Sequence, residues 1–402
     1  MQIRHIAISR FRGIRSLDWY VNGRLLCLVG PGDSTKTTIL DAIELALVPR
    51  SYVPFSDADF YNADTNEPLS ISLTIGELPE ELLVDDKCGL YLRGYRSGEG
   101  IKDDPEDGWE AVITVRLQVA SDLEPQWELV KESNPEAKSL SWRDRERLGV
   151  ARLGDNTERH LTWSRGSALS RITDKNTSAG PTLAQAHRAA NAAIAGASLA
   201  ELEDAAAKAK QAALAFGVDT LPLRPGLDTQ SLSFGSGALS LHDERQVPLR
   251  ATGLGTRRLI GLAIQQTSLG PDAIVLIDEI EHGLEPHRIR RLLRKLRDDH
   301  FPSEEGEEQG SGQGQVIMTS YSPTAIMALP IEQLRFVKST NGVTTIEQVA
   351  SGVRDTVQSV VRKIGHALLA RKIIVCEGKT EEAVCRILDD YWAERGLIPK
   401  RA

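Results

Sequence analysis

The chain has 402 residues, more than one ordinary core accommodates, so two or three structural units are expected. Hydrophobic residues at 41% and charged residues at 26% suit a globular protein in water, and no stretch reaches the roughly 20 apolar residues that span a bilayer. The formal net charge of −8 excludes nucleic-acid binding by bulk electrostatics, leaving only a local basic patch.

The opening MQIRHIAISRFRGIRSL interleaves charge with apolar residues. It lacks the unbroken apolar region of a signal peptide, so a cytoplasmic protein without a membrane partner is expected. Cys27, Cys88, Cys376 and Cys385 form no CxxC pair and no zinc-type cluster with histidine. They read as reduced core thiols. No internal repeat of fixed period is present.

In chain order, residues 2–29 read as strands, ending in the apolar run LLCLV before Gly30. A Gly-rich turn follows, then a helix with apolar residues at Ile39, Leu40, Ile43 and Leu47. Residues 69–75 and 110–119 alternate like half-buried strands, and the polar, Gly-rich stretch between them reads as a loop. Residues 125–165 have no clear pattern. Residues 182–216 are Ala-rich and poor in β-branched residues, which predicts two helices broken near Gly196. That hairpin is either an arm pairing with a partner or a simple surface feature.

Residues 225–250 read as irregular. AIVLIDE, at 273–279, and VIMTS, at 316–320, are buried strands by their continuous apolar runs. Between them HRIRRLLRKLR is a helix, and the acidic, Gly-rich residues 303–315 read as a disordered loop. A hairpin is expected around Asn341-Gly342. KIIVCEG, at 372–378, reads as a last strand and EEAVCRILDDYWAERG as a last helix. The basic-patch candidates are Arg257-Arg258 and the Arg288–Arg297 helix, the latter reading better as a solvated face on its charge pattern alone.

Four motifs carry chemistry. Residues 30–37 nearly fit G-x-x-x-x-G-K-[ST], with the strand and helix such a loop requires. Backbone N–H groups of such a loop point at phosphates, placing Gly30, Gly32, Asp33, Ser34, Thr35, Lys36, Thr37 and Thr38 at a bound ATP. Lys36 would neutralise the β- and γ-phosphates and Thr37 would sit on Mg²⁺. Thr35 stands where the motif has Gly, and a side chain there crowds the loop. Second, Asp278 and Glu279 end a buried strand, an expensive place for two carboxylates without a cation. Asp278 would hold Mg²⁺ and Glu279 would polarise the attacking water. Third, Thr252, Gly253 and Gly255 open an apolar helix where backbone N–H groups can meet an anion. Fourth, Thr319, Ser320 and Tyr321 end another buried strand, where a polar residue could reach a γ-phosphate, although the stretch taken alone reads as a Ser-Pro turn.

In this order the motifs resemble the ABC-type ATPase heads of the SMC, RecF and OLD (overcoming-lysogenisation-defect) proteins. IAISRFRGI and LLCLVGPGDSTKTTILDAIELAL resemble how those proteins begin, LIDEIEHGLEP their Walker B and D-loop, TGLGTRR their signature and TSYSP their switch loop. The resemblance is good over roughly 1–75 and 250–330. It implies an α/β ABC-type head, a P-loop NTPase with a mixed sheet and flanking helices, carrying an inserted helical dimerisation arm. It implies a head-to-tail homodimer in which Thr252, Gly253 and Gly255 of one copy close on the nucleotide of the other. Thr252 replaces the usual signature serine and Tyr321 the usual switch histidine, so slow hydrolysis is expected. No Q-loop glutamine is evident after LSISLTIGELP.

The segment KIIVCEGKTE resembles the start of a Toprim domain, which would make Glu377 and Glu381 metal ligands. A head followed by Toprim is the OLD nuclease arrangement. The Asp-x-Asp strand completing that metal site does not appear before Ala402, so nuclease activity is not expected of this chain alone. The implied division is an N-terminal ATPase lobe, 1–175; a helical insertion, 176–220; a C-terminal ATPase lobe, 221–365; and an incomplete Toprim start, 366–402. The expected function is an ATPase module governing DNA processing or phage defence. The alternative is a nucleotide-gated clamp or sensor on DNA or a partner protein, without nuclease chemistry.

Overall fold

The computed structural model describes residues 1–83, 88–154, 157–164, 167–173, 239–244, 246–270, 272–300, 314–350 and 376–395, with scattered positions elsewhere. Two compact units arise. The first comprises Met1–Leu153 and Leu269–Ala402, the second Gly154–Ser268.

In the first unit, β1 (Gln2–Phe11) and β2 (Ile14–Tyr20) pair antiparallel, and β1 pairs β4 (Leu69–Gly76) on its other side. Next come β7 (Glu110–Val119), β8 (Pro125–Lys131) and β9 (Asn134–Ser139), all antiparallel. The stretch read as a loop holds a small hairpin, β5 (Arg93–Arg96) and β6 (Gly100–Lys102), with β5 on β7. Its turn glycines, Gly98 and Gly100, have positive φ, and its short polar strands carry no alternation long enough to read.

The other part of the sheet is mostly parallel. β10 (Val150–Leu153), β11 (Ile274–Ile277), β12 (Gln315–Ser320) and β3 (Leu25–Val29) lie side by side, and β13 (Leu334–Thr340) joins β3. β14 (Val343–Glu347) turns back on β13 through Asn341 (φ 52°) and Gly342 (φ 79°), two left-handed residues as a type I′ hairpin requires. β14 meets β2, joining all into one mixed sheet of 14 strands among the described residues.

Helix α1 (Lys36–Leu47) buries Ile39, Leu40, Ala42, Ile43, Ala46 and Leu47 against this sheet. Each of the larger side chains contributes about 2 kcal/mol. Just past α1, Arg145 is 2% exposed; it donates to the carbonyls of Val48 and Arg50 and stacks on Trp127 at 3.8 Å. It thereby ties the chain leaving α1 to Trp127 of β8.

In the second unit α2 (Leu254–Thr267) packs against the short helices Thr157–His160 and Ala168–Ile172. The Ala-rich segment 182–216 lies outside the described residues apart from a few helical positions between 182 and 193, as does nearly all of 303–315. Helix α3 (Pro286–His300) and the short α4 (Pro323–Ala328) belong to the first unit, as does α5 (Lys379–Glu394). Of the strand expected at 372–378, residues 372, 373 and 375 lie outside the described residues, and 374 and 376–378 are not in a strand. Among the described residues no helix is long and apolar enough to cross a membrane.

Candidate nucleotide site

Parallel register decides which residues meet. Ser320 pairs Val29, and Met318 pairs Ile277, so β3, β11 and β12 end together. Gly30, Asp278 and Thr319 therefore converge at the carboxyl edge of the sheet, where α/β proteins bind ligands.

The loop after β3 is held open by backbone geometry. Gly30 has φ 157°, and a Cβ there would lie 2.5 Å from the Val337 carbonyl oxygen of β13. Asp33 (φ 59°) and Thr35 (φ 66°) are left-handed without being glycine. Thr35 costs roughly 1 kcal/mol in this conformation. Its hydroxyl donates to the Ser34 carbonyl at 2.6 Å and meets Thr344 Oγ1 at 3.0 Å, which fixes it. The glycine that the motif expects is a backbone requirement, met here under strain.

Lys36 opens α1 and is 1% exposed. Its ammonium donates to the carbonyls of Gly30 (3.0 Å) and Pro31 (2.8 Å) and to Ser34 Oγ (2.9 Å). The Tyr321 ring lies 3.8 Å from Nζ. Burial pushes its pKa from the ordinary 10.5 down to about 8, against the opposing pull of Asp278. Burial and nearby Glu279 and Asp278 push the Tyr321 phenol up. The Lys36 side chain thus curls back on its own loop.

Thr37 Oγ1 donates to Asp278 Oδ1 at 3.2 Å, and Thr319 Oγ1 donates to the same oxygen at 2.5 Å. Thr319 also accepts the Glu279 N–H at 2.8 Å, pinning Glu279 at φ 44°. The Glu279 carboxylate is half exposed, 3.5 Å from His282 Nδ1. Glu281 accepts from Ser320 Oγ (2.8 Å) and the Tyr321 N–H (2.6 Å), tying the β12 end to the turn after β11. A hydroxyl and a carboxylate meeting beside an anion loop form the hard oxygen set that Mg²⁺ prefers. These residues fit Mg²⁺ and a nucleoside triphosphate.

The remaining candidates stand elsewhere. Gly253 is the N-cap of α2, with no side-chain cap, and Thr252 Oγ1 donates to the Leu249 carbonyl. Both lie in the second unit with Gly255. Arg258 is 7% exposed and Arg257 pairs with Glu158 at 2.9 Å, so this dipeptide is no free basic patch. On α3, Arg290, Arg291 and Arg294 are exposed. Glu377 and Glu381 are exposed at the start of α5. No group of three or more His, Cys, Asp or Glu side chains suited to a metal occurs among the described residues.

Two contributors escaped the sequence reading. Glu281 lies within EIEHG, where nothing distinguishes it from surface acid. Arg152 donates to Asp278 Oδ2 at 2.8 Å and to Glu44 at 3.2 Å, and pairs with Asp41. The faint signal for it was an arginine interrupting VARL.

The large mixed sheet with helices packed on it, its strand ends bringing Gly30, Asp278 and Thr319 together, has the fold of an SMC head domain. The SmcHead bound to the C-winged helix domain of ScpA matches with a TM-score of 0.50 at 14% identity, over 87% of this chain and 98% of that one. The Smc head with an extended coiled coil from Pyrococcus furiosus, bound to the C-terminal domain of ScpA, gives 0.49 at 12% identity, over 90% and 99%. The SMC head domain from Thermotoga maritima gives 0.40 at 15% identity, over 87% and 100%. The first likeness is one of fold. Residues 25–328 match the family model described as AAA domain, putative AbiEii toxin, Type IV TA system, and the chain belongs to this family. No curated protein matches it.

Proposed function

We propose that the chain is an ATP-binding module that hydrolyses ATP slowly and acts by nucleotide-dependent pairing of two copies. The observation carrying this reading is the junction of Lys36, Thr37, Asp278 and Thr319 at one sheet edge. ATP would draw Lys36 from its three loop oxygens onto phosphate. Thr37 and Asp278 would hold Mg²⁺, which supplies charge neutralisation for the phosphates. Glu279, positioned through its backbone by Thr319, would orient a water and accept its proton. Tyr321 covers Lys36 but, with its phenol pushed up, exchanges no proton near neutrality. That favours slow turnover.

Pairing is inferred from α2. Its N-cap Gly253 supplies no side-chain cap, and the positive dipole end of the helix suits a phosphate presented by a second copy. The finer reading is the ATPase portion of an OLD-like DNA nuclease, with Glu377 and Glu381 as the beginning of a Toprim metal site and the α3 arginines as the DNA patch. A clamp or sensor without nuclease chemistry is the second reading, favoured by strained Thr35 and by Tyr321.

The test is ATP turnover by the purified chain, with and without duplex DNA, beside Lys36→Ala. Turnover lost in the variant and altered by DNA supports the DNA-linked module. ATP binding without turnover in either condition favours the clamp. No ATP binding at all would reject the nucleotide site.

A further inference from the structure

Asp278 is already occupied on both sides by protein. Its Oδ1 accepts the hydroxyls of Thr37 and Thr319, and its Oδ2 accepts from Arg152 at 2.8 Å. Arg152 is no surface cation: its side chain is 10% exposed, near the carboxyl end of β10, beside β11 in parallel register. The other arm of its fork reaches α1, pairing with Asp41 and lying 3.2 Å from Glu44. Thr37, Asp41 and Glu44 are spaced i, i+4, i+7, so they share the α1 face turned to β10. One guanidinium thus bridges the helix behind the phosphate loop to the strand-end carboxylate. The planar fork permits this; a single ammonium could not serve both anchors equally.

We propose that Arg152 is the resident cation of Asp278, holding it in the metal-free state and competing with Mg²⁺ for it. The inference rests on the nucleotide reading above. Without Arg152, the carboxylates of Asp41, Glu44 and Asp278 would face one another at the junction of α1 with β10 and β11, with Arg12 still pairing Asp41. With it, Asp278 is neutralised before any metal arrives. A divalent cation at Asp278 meets a seated guanidinium, and like charges in a poorly hydrated site repel strongly. Metal binding therefore requires Arg152 to release Oδ2 and retreat onto Asp41 and Glu44. The device keeps the site assembled when empty, and it weakens the coupling between nucleotide and metal.

Thermodynamic linkage makes this measurable. The probe is a fluorescent ATP analogue, titrated against the full chain once in EDTA and once in saturating Mg²⁺. The readout is the ratio of the two dissociation constants. In Arg152→Gln the EDTA affinity falls with the lost positive charge, and the Mg²⁺ affinity gains from the released carboxylate. Both push the ratio up, by about tenfold or more. A merely structural role shifts both constants by one factor, so an unchanged or lower ratio overturns the proposal. Should Arg152→Gln fail to fold, Arg152→Lys keeps a charge for Asp41 and Glu44 without the fork. Its ratio must rise about threefold, and no rise overturns the proposal equally. An analogue that binds no form of the chain rejects the nucleotide reading itself; binding with an unmoved ratio rejects only the role of Arg152.

Discussion

Raising the pH should unload ATP from this site because of Lys36 alone. Its ammonium is buried, and desolvation holds its pKa at about 8 in the nucleotide-free chain. Phosphates beside it favour the charged form, so the bound state keeps the proton. The folded, empty state loses that proton as pH rises through about 8, and binding above that point must take one up. The protonated fraction falls about 25-fold between about pH 7.5 and 9.5, and apparent ATP affinity should fall with it. A lysine with an ordinary pKa would lose only about a tenth of its charge over this range. The assay is a fluorescent-analogue titration in that window, with calorimetry in two buffers of different ionisation enthalpy near pH 9. Close to one proton taken up per nucleotide is expected. Affinity constant within about twofold across the window, with no proton uptake, would refute the argument from burial. For stability the sense is reversed: the unfolded chain keeps its Lys36 proton to about pH 10.4. The empty fold therefore gains from this residue as pH rises from about 8 to that point.

Gly30→Ala should cost on the order of 2–4 kcal/mol, because its Cβ would meet the rigid Val337 carbonyl. A lower urea midpoint, or loss of soluble protein, is the expected result, and an unchanged midpoint would contradict the close approach of β3 and β13. Tyr321→His should speed turnover by bringing a group that titrates near neutrality to the switch position. Brisk wild-type hydrolysis that the variant leaves unchanged would remove that account of slow turnover.

The parts of the fold legible in the sequence were those where periodicity changed sharply. LLCLV runs apolar without a break and TILDAIELAL switches at once to helical spacing, so strand, loop and helix were readable at 25–47. The Asn341-Gly342 turn announced itself because few other pairs accept two left-handed residues. The 93–102 hairpin did not, since its strands are short, polar and broken by glycine. Arg152 was hidden for a different reason. Its meaning depends on lying parallel to β11 and facing Asp41 and Glu44, and none of these is local in the chain. Lys36 and Asp278 could be named from motifs, but the hydroxyl of Thr319 joining Asp278 to Glu279 came only from register.

That register also sets a timetable for synthesis. The phosphate-loop strand β3 has no neighbour near it in sequence: Leu25 pairs Val316 and Cys27 pairs Leu334. A ribosome making about 5–20 residues per second needs roughly 15–60 seconds to supply those partners. Through that interval LLCLV is an apolar strand with both edges unpaired, the most aggregation-prone segment a nascent chain can carry. The antiparallel strands β1, β2, β4 and β7 are complete far earlier and can form first. A nascent chain would thus own an ordered antiparallel sheet well before it could grip a nucleotide, and chaperone dependence should concentrate in that gap.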